Sequence, residues 1–135
     1  MKLVSTRVIT ADVNRLVSFY EAVTDGAAVW GNELFAEIVT SVGTLAIGSD
    51  KTVPLFGVGS AEPAANRSMI VEFIVDDVDA EYERLVTLGG RRAVLDIRTE
   101  DFGQRHFIIA GPDGVLIDVI TPTPPTAEFE QQYVE

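Results

Sequence analysis

The sequence predicts an α+β domain made of two βαβββ modules, and three observations lead to this prediction. A strong β-hairpin lies near the C-terminus, two amphipathic helical patterns each follow a strand, and the two halves of the chain resemble each other. In the hairpin, residues 105–109 and 115–120 are rich in Phe, Ile and Val, and the turn Gly111-Pro112-Asp113-Gly114 separates them. Proline presets one backbone angle of such a turn and glycine can adopt positive φ, so the two runs are expected to pair as antiparallel strands.

The internal similarity involves both ends of each module. VITADV at 8–13 matches FIVDDV at 73–78, and GTLAI at 43–47 matches GVLID at 114–118. Each copy alone has too small an apolar face to fold well, so we expect the copies to pack together or against another chain.

The first module is predicted to run from a strand through a helix to three further strands. Asp12 occupies an N-cap position, and apolar residues follow it at helical spacing until Gly26. The predicted strands are residues 3–10, 27–30, 34–40 and 44–47.

The second module repeats this order. Asp76 or Asp77 is predicted to cap its helix, which ends at Gly89-Gly90. The predicted apolar face of that helix contains Val78, Tyr82, Leu85 and Leu88. The predicted strands are residues 68–75, residues 93–97 and the two strands of the hairpin.

These elements predict one domain over residues 1–121. Module one covers about 1–48, a linker about 49–67 and module two about 68–121. The linker carries prolines and glycines without periodicity, and loops of this length are often functional or mobile. The C-terminal tail, residues 122–135, begins with prolines and is expected to lie extended on the surface.

The amino-acid composition excludes several classes of function. The 135 residues are 47% hydrophobic and suffice for a core, whereas the absence of cysteine excludes disulfides and thiolate chemistry. A single histidine excludes a His-rich metal cluster within one chain. Twenty-one acidic against ten basic residues, a net charge of -11, argue against a nucleic-acid partner. The first ten residues resemble neither a signal peptide nor a membrane span, so we expect a cytoplasmic protein with no membrane partner.

The hairpin also holds the candidate site. Because side chains alternate along a strand, His106 and Ile108 share one face of the first strand, and Asp118 shares a face of the second with two apolar neighbours. A carboxylate in an apolar row needs a cavity, a metal or a cationic partner if it is buried. The alternative is that this face is simply the solvated side of the sheet.

Three segments together show a family resemblance: RVITADVNRLVSFYEAVTDG, FIVDDVDAEYERLVTLGG and FGQRHFIIAGPDGVLIDVI. They resemble the vicinal oxygen chelate superfamily, which includes glyoxalase I, extradiol dioxygenases, fosfomycin-resistance enzymes and bleomycin-binding proteins. The resemblance covers nearly the whole chain up to Thr121. It implies two βαβββ modules forming a cup-shaped, glyoxalase-like mixed sheet, usually in a homodimer whose cups hold the ligand. The same cup serves lyases, oxygenases and simple binders, so the resemblance specifies the fold more than the function.

The resemblance also indicates where a metal would be held. Members with a metal place one ligand on the first strand and one on the last strand of each module. These places fall near Ser5, Ile47, Ile70 and Asp118 in this sequence. Only Asp118 is an ordinary ligand, and a catalytic divalent metal needs about three protein ligands. We therefore expect no metal and no other cofactor.

Two further side chains leave alternatives open. Glu72 and His106 could complete a metal site with Asp118. His106 could instead be a strand histidine hydrogen-bonded to a neighbour. Glu72 could be a solvated carboxylate or the salt-bridge partner of Arg105.

Two aromatic residues are candidate platforms for a ligand. Trp30 lies just before a turn and away from the helical stripes, and Phe102 lies beside Gly103 where the hairpin begins. The segment FGQRHF resembles the stretch before the last hairpin of bleomycin-resistance-type members, which favours a binding function.

The leading hypothesis is a metal-free protein that binds an apolar or cationic small molecule. Its predicted ligand-binding residues are Trp30, Glu72, Phe102, His106, Ile108 and Asp118. No catalytic residues are predicted. One alternative is a metal-dependent lyase or dioxygenase, and another is a non-catalytic regulatory or interaction module whose cup is filled by its own side chains. A homodimer is expected because open sheet edges and apolar strand faces need covering.

Overall fold

The computed structural model describes residues 1–130, so residues 131–135 of the predicted tail lie outside the described part of the chain. The chain divides into two compact units, Met1–Arg67 with Gly111–Gly114, and Ser68–Ala110 with the chain from Val115 onward. Each unit contains a four-stranded mixed sheet in βαβββ order, which confirms the predicted α+β class.

The first module follows the predicted order of elements. They are β1 (Ser5–Thr10), α1 (Val13–Thr24), β2 (Val29–Asn32), β3 (Phe35–Val39) and β4 (Thr44–Ser49). The sheet order is β1-β4-β3-β2, with β1 parallel to β4 and the other pairs antiparallel. Asp12 caps α1 as predicted, because its carboxylate accepts a hydrogen bond of 3.1 Å from the Arg15 backbone N–H. The helix buries Leu16, Val17 and Tyr20.

The linker is not wholly irregular. After β4 the chain forms a 3-10 helix, Asp50–Phe56, which begins at the Ser49 hydroxyl and buries Val53. Gly57, at a φ of 108°, follows this helix in a conformation that favours glycine.

The second module repeats the arrangement. Its elements are β5 (Ile70–Ile74), α2 (Val78–Tyr82), a π turn (Glu83–Thr87), β6 (Ala93–Glu100), β7 (Gln104–Ala110) and β8 (Leu116–Pro122). The sheet order is β5-β8-β7-β6, with β5 parallel to β8. Of the two candidate caps, Asp77 is the cap of α2, through a hydrogen bond of 3.1 Å from the Ala80 N–H.

The predicted apolar face of the second helix is wrong at its end. Val78 and Leu85 are buried, but Leu88 is 77% exposed. A π turn has more residues per turn than an α-helix, so the wider turn at Glu83–Thr87 changes the direction of the residue that follows it. The predicted stripe assumed an unbroken α-helical period.

The two modules match in a different register from the one that the sequence suggests. Arg7 pairs with Ala46 in the first sheet, and Glu72 pairs with Asp118 in the second. Ala46, rather than Ile47, is therefore the counterpart of Asp118. The strand pairing gives the reason: Ile47 pairs with Val8 and Val119 pairs with Phe73, so Ile47 and Val119 lie on the opposite face of each sheet, and a slip of one residue would exchange the two faces.

The tail does not simply lie extended. Pro122 still belongs to β8, and a short helix, Ala127–Glu130, closes the described chain. The Thr126 N–H donates to the carbonyl of Asp101 at 2.9 Å, and the Phe129 ring lies edge-on to Phe102 with centroids 6.4 Å apart. The prolines at the beginning of the tail gave no indication of this contact between Phe129 and Phe102.

Candidate functional site

One face of the second sheet brings together four of the six predicted site residues. Glu72 on β5 lies directly opposite Asp118 on β8, and Asp118 lies directly opposite Ile108 on β7. His106, two residues before Ile108, therefore shares this face. The other face of the sheet packs against α2, where the rings of Tyr82 and Phe107 meet edge to face at 5.2 Å.

Asp118 and His106 form the centre of this face. The Asp118 Oδ1 atom lies 2.8 Å from His106 Nδ1, and the residues are only 5% and 6% exposed. Asp118 is therefore not on a solvated surface. It has the buried hydrogen-bonding partner that a carboxylate requires in an apolar row.

The second ring nitrogen of His106 faces another carboxylate. His106 Nε2 lies 3.1 Å from Glu100 Oε1, and Glu100 also accepts a hydrogen bond from Arg98. The imidazolium form of His106 would donate to both carboxylates at once, since both of its nitrogens then carry hydrogen. Hydrogen bonds from His106 and Arg98 hold the pKa of Glu100 below its usual range.

Glu72 is the exposed member of the group. Desolvation and a hydrogen bond with Asp118 raise the pKa of Glu72, and the nearby charge of Asp118 adds to the rise while His106 opposes it. The suggested salt bridge from Glu72 to Arg105 is wrong, because Arg105 pairs with Asp79 on α2 at 2.8 Å.

We call the residues Glu72, Glu100, His106 and Asp118 the acid-histidine cluster. Sequence reasoning missed Glu100, because β6 was predicted to end at residue 97 and continues to Glu100. It also missed Gln104, whose side-chain amide lies 3.0 Å from His106 Nδ1. Gln104 precedes His106 by two residues on a strand, and that spacing was a usable signal.

The two candidate aromatic platforms are Trp30 in the first unit and Phe102 in the second. Trp30, on β2, is 43% exposed. It pairs with Ala36, so its side chain lies on one face of the first sheet, and Arg7 lies on the other. By the internal repeat, the Arg7 face is the counterpart of the Glu72 face. Phe102 is 41% exposed in the turn before β7, and Phe129 of the tail already covers part of its ring. A ligand contact at either aromatic ring stays a prediction.

A family model of the Glyoxalase/Bleomycin resistance protein/Dioxygenase superfamily matches residues 2–119. This chain belongs to that superfamily. YwbC of Bacillus subtilis (strain 168), a protein named only as uncharacterized, is 27% identical over an alignment of 121 residues, which covers 84% of this chain and 91% of that relative. The predicted resemblance is thereby confirmed at the level of the superfamily.

Solved structures support the same fold. A glyoxalase/bleomycin resistance protein/dioxygenase family enzyme from Burkholderia phytofirmans PsJN has a TM-score of 0.78 at 13% identity, covering 90% of this chain and 99% of that one. A glyoxalase/bleomycin resistance protein/dioxygenase from Nocardioides has a TM-score of 0.73 at 19% identity, covering 91% of this chain and 84% of that one. At these identities the similarity concerns the fold. No helix among residues 1–130 is long and apolar enough to cross a membrane.

Some superfamily members hold a metal with ligands from the first and last strand of each module. The side chains at these ligand positions in this chain do not form such a ligand set. Ser5 and Ile70 occupy the first-strand places, and Ala46 is the counterpart of Asp118. Within residues 1–130, no three His, Asp or Glu side chains are arranged to hold an ion together. His106 has both ring nitrogens within hydrogen-bonding distance of carboxylates, so neither nitrogen is free to bind a metal.

Proposed function

We propose that this protein binds a small molecule, without a metal, on the face of the second sheet that carries the acid-histidine cluster. The observation that carries this proposal is the contrast between an exposed Glu72 and the buried Asp118–His106 pair next to it. A buried pair that orients one accessible carboxyl group is typical of a preorganised binding contact.

The surroundings of Glu72 support a ligand with an apolar part. Ile70 and Ile74, which share the face of Glu72 on β5, are 50% and 73% exposed. Apolar side chains around one carboxyl group suit a compound that pairs an apolar body with a cation or a hydrogen-bond donor.

The raised pKa of Glu72 adds a coupling to protons. A cationic ligand favours the ionised form of Glu72, so its binding would release a proton from Glu72. The affinity for a cation should therefore rise as pH rises through the pKa of Glu72. A neutral ligand of the same shape should show no such dependence.

A pair of matched probes tests the proposal. After a thermal-shift library identifies apolar binders, the affinities of benzyltrimethylammonium and of the neutral neopentylbenzene are measured over the same pH range. Glu72→Gln should weaken the cation about tenfold or more and leave the neutral probe nearly unchanged. Glu33→Gln, an exposed carboxylate in the turn between β2 and β3, is the control that removes the same charge.

Two results would contradict the proposal. If Glu72→Gln lowers the affinity for both probes equally, the acid-histidine face is not the binding site. The same conclusion follows if no compound in the library binds saturably. Elemental analysis that finds about one Ni, Zn, Fe or Mn per purified chain would favour the metal-dependent alternative.

A further inference from the structure

The first module carries an arginine at the position that Glu72 occupies in the second. Arg7 lies on β1 opposite Ala46, and Glu72 lies on β5 opposite Asp118. The two modules therefore present opposite charges at equivalent places. Arg7 is exposed, and its surroundings differ from those of the other arginines that have assigned partners.

Two aromatic rings hold the Arg7 guanidinium. Its central carbon lies 4.6 Å from the ring centroid of Phe35 and 5.1 Å from that of Phe56. Distances below about 6 Å allow cation–π attraction, and stacking fixes the plane of the guanidinium while leaving its N–H edge available. Phe35 is on β3, and Phe56 ends the 3-10 helix.

Gly48 makes room for this arrangement. A Cβ atom at Gly48 would lie 3.2 Å from the Arg7 Nη1 atom and 3.5 Å from the Thr52 hydroxyl oxygen. The guanidinium thus lies close against the β4 backbone, at a place where a side chain would crowd it. The Thr52 hydroxyl donates to the Ser49 carbonyl at 2.6 Å and so stays in place beside it.

Arg7 forms no hydrogen bond or ion pair with a protein side chain within residues 1–130, although the chain has 21 acidic residues. By contrast, Arg98 pairs with Glu100 and Arg105 pairs with Asp79. Glu37 shares the face of Arg7 two strands away and does not reach it. A guanidinium that is held by stacking and has no anionic partner has its forked donors free for a ligand.

From this arrangement we infer that Arg7, Phe35 and Phe56 form a binding site for a carboxylate that carries an apolar or aromatic body. The planar fork matches two carboxylate oxygens, and Phe56, a residue that is 60% exposed, offers apolar contact beside them. The net charge of -11 favours a singly charged anion over a multiply charged phosphate. This site goes beyond the proposed function, because it lies in the first module and uses none of the acid-histidine cluster.

Benzoate and inorganic phosphate are the probes that test this inference on the full chain. Chemical shifts of the Phe56 ring and the Arg7 side-chain N–H should move saturably with benzoate. Arg7→Gln should weaken benzoate about tenfold or more, and Arg7→Lys should also weaken it because a lysine lacks the fork. Phe56→Leu should reduce affinity severalfold while keeping the charge.

Arg15→Gln is the matched control, because Arg15 is an exposed arginine on α1 and its loss changes the net charge equally. Its benzoate affinity should equal that of the parent protein. The inference is overturned if Arg7→Gln binds benzoate as well as Arg15→Gln does, or if benzoate shows no saturable binding. Phosphate that binds at Arg7 more tightly than benzoate would overturn the assignment to carboxylates.

Discussion

Asp118 shows how a single residue acquires its role from its neighbours. In the chain it is a carboxylate between valine and isoleucine neighbours, and in the folded module it lies between His106 and Glu72. Its burial would be costly without His106, so the pair stabilises the module only as a pair.

Asp118→Asn is expected to lower the free energy of unfolding by about 1.5 to 3 kcal/mol, the range for a hydrogen bond to a charged group. The amide keeps the size of the side chain but removes the anion that faces His106. Chemical denaturation measures the change, and Asp76→Asn, at an exposed position before α2, is the control that should change little. An Asp118→Asn protein as stable as the parent would show that the His106 contact does not stabilise the fold.

Glu72 should make the stability depend on pH. Because its pKa is raised in the folded protein, the folded state binds a proton more tightly than the unfolded chain does. This contribution to stability is fully present below the unfolded pKa and is lost as pH rises through the raised value. The Tm of Glu72→Gln should therefore rise relative to that of the parent protein as pH increases from the unfolded pKa of Glu72 through its raised folded pKa. Calorimetry measures this Tm difference.

Glu100→Gln provides the opposite case. The pKa of Glu100 is lowered, so its contribution is present above the ordinary glutamate pKa and is lost as pH falls through the lowered value. The variant should be less stable than the parent at neutral pH, and the difference should shrink in acid. Equal pH profiles for both variants would contradict the assignment of these two environments.

The two helix caps connect the residue scale to the scale of elements. Asp12 and Asp77 have nearly identical backbone angles, with φ of -137° and -136°, and each accepts from the N–H three residues later. The sequence match between VITADV and FIVDDV therefore reflects the same local geometry twice.

Asp12→Ala and Asp77→Ala should each lower the free energy of unfolding by about 1 kcal/mol, because each leaves a helix N–H without its acceptor. Asp76→Ala changes the neighbouring carboxylate and should have almost no effect. Denaturant unfolding of the three variants measures the difference. If Asp76→Ala lowered the free energy of unfolding as much as Asp77→Ala, the capping role would belong to both residues or to neither.

On the scale of the whole molecule, we predict a homodimer. In the sheet of its own unit, β5 is an edge strand that leaves Ile70 and Ile74 exposed, and such edges and apolar patches favour association. Light scattering at micromolar concentration should give twice the chain mass of 14.6 kDa. A monomer mass for the parent protein would contradict this prediction.

Ile74→Lys locates the interface that we expect, since a charge on the exposed face of β5 should shift the mass toward that of the monomer. Val42→Lys, in the exposed turn between β3 and β4, introduces the same charge and should leave the dimer intact. A dimer that persists in both variants would place the interface elsewhere.

The sequence by itself determined the α+β class, the two modules, the Asp12 cap of α1 and the hairpin, because periodicity, capping and turn chemistry are local. For the second helix it left Asp76 and Asp77 as alternatives, and the structure selected Asp77. It also selected Glu72, His106 and Asp118, since strand alternation indicates which side chains share a face. Only the tertiary structure decided that Ala46 corresponds to Asp118, that Glu100 reaches His106 and that Arg105 pairs with Asp79. These contacts depend on strand register and on where β6 ends, and both are set by the burial of apolar side chains across several strands at once.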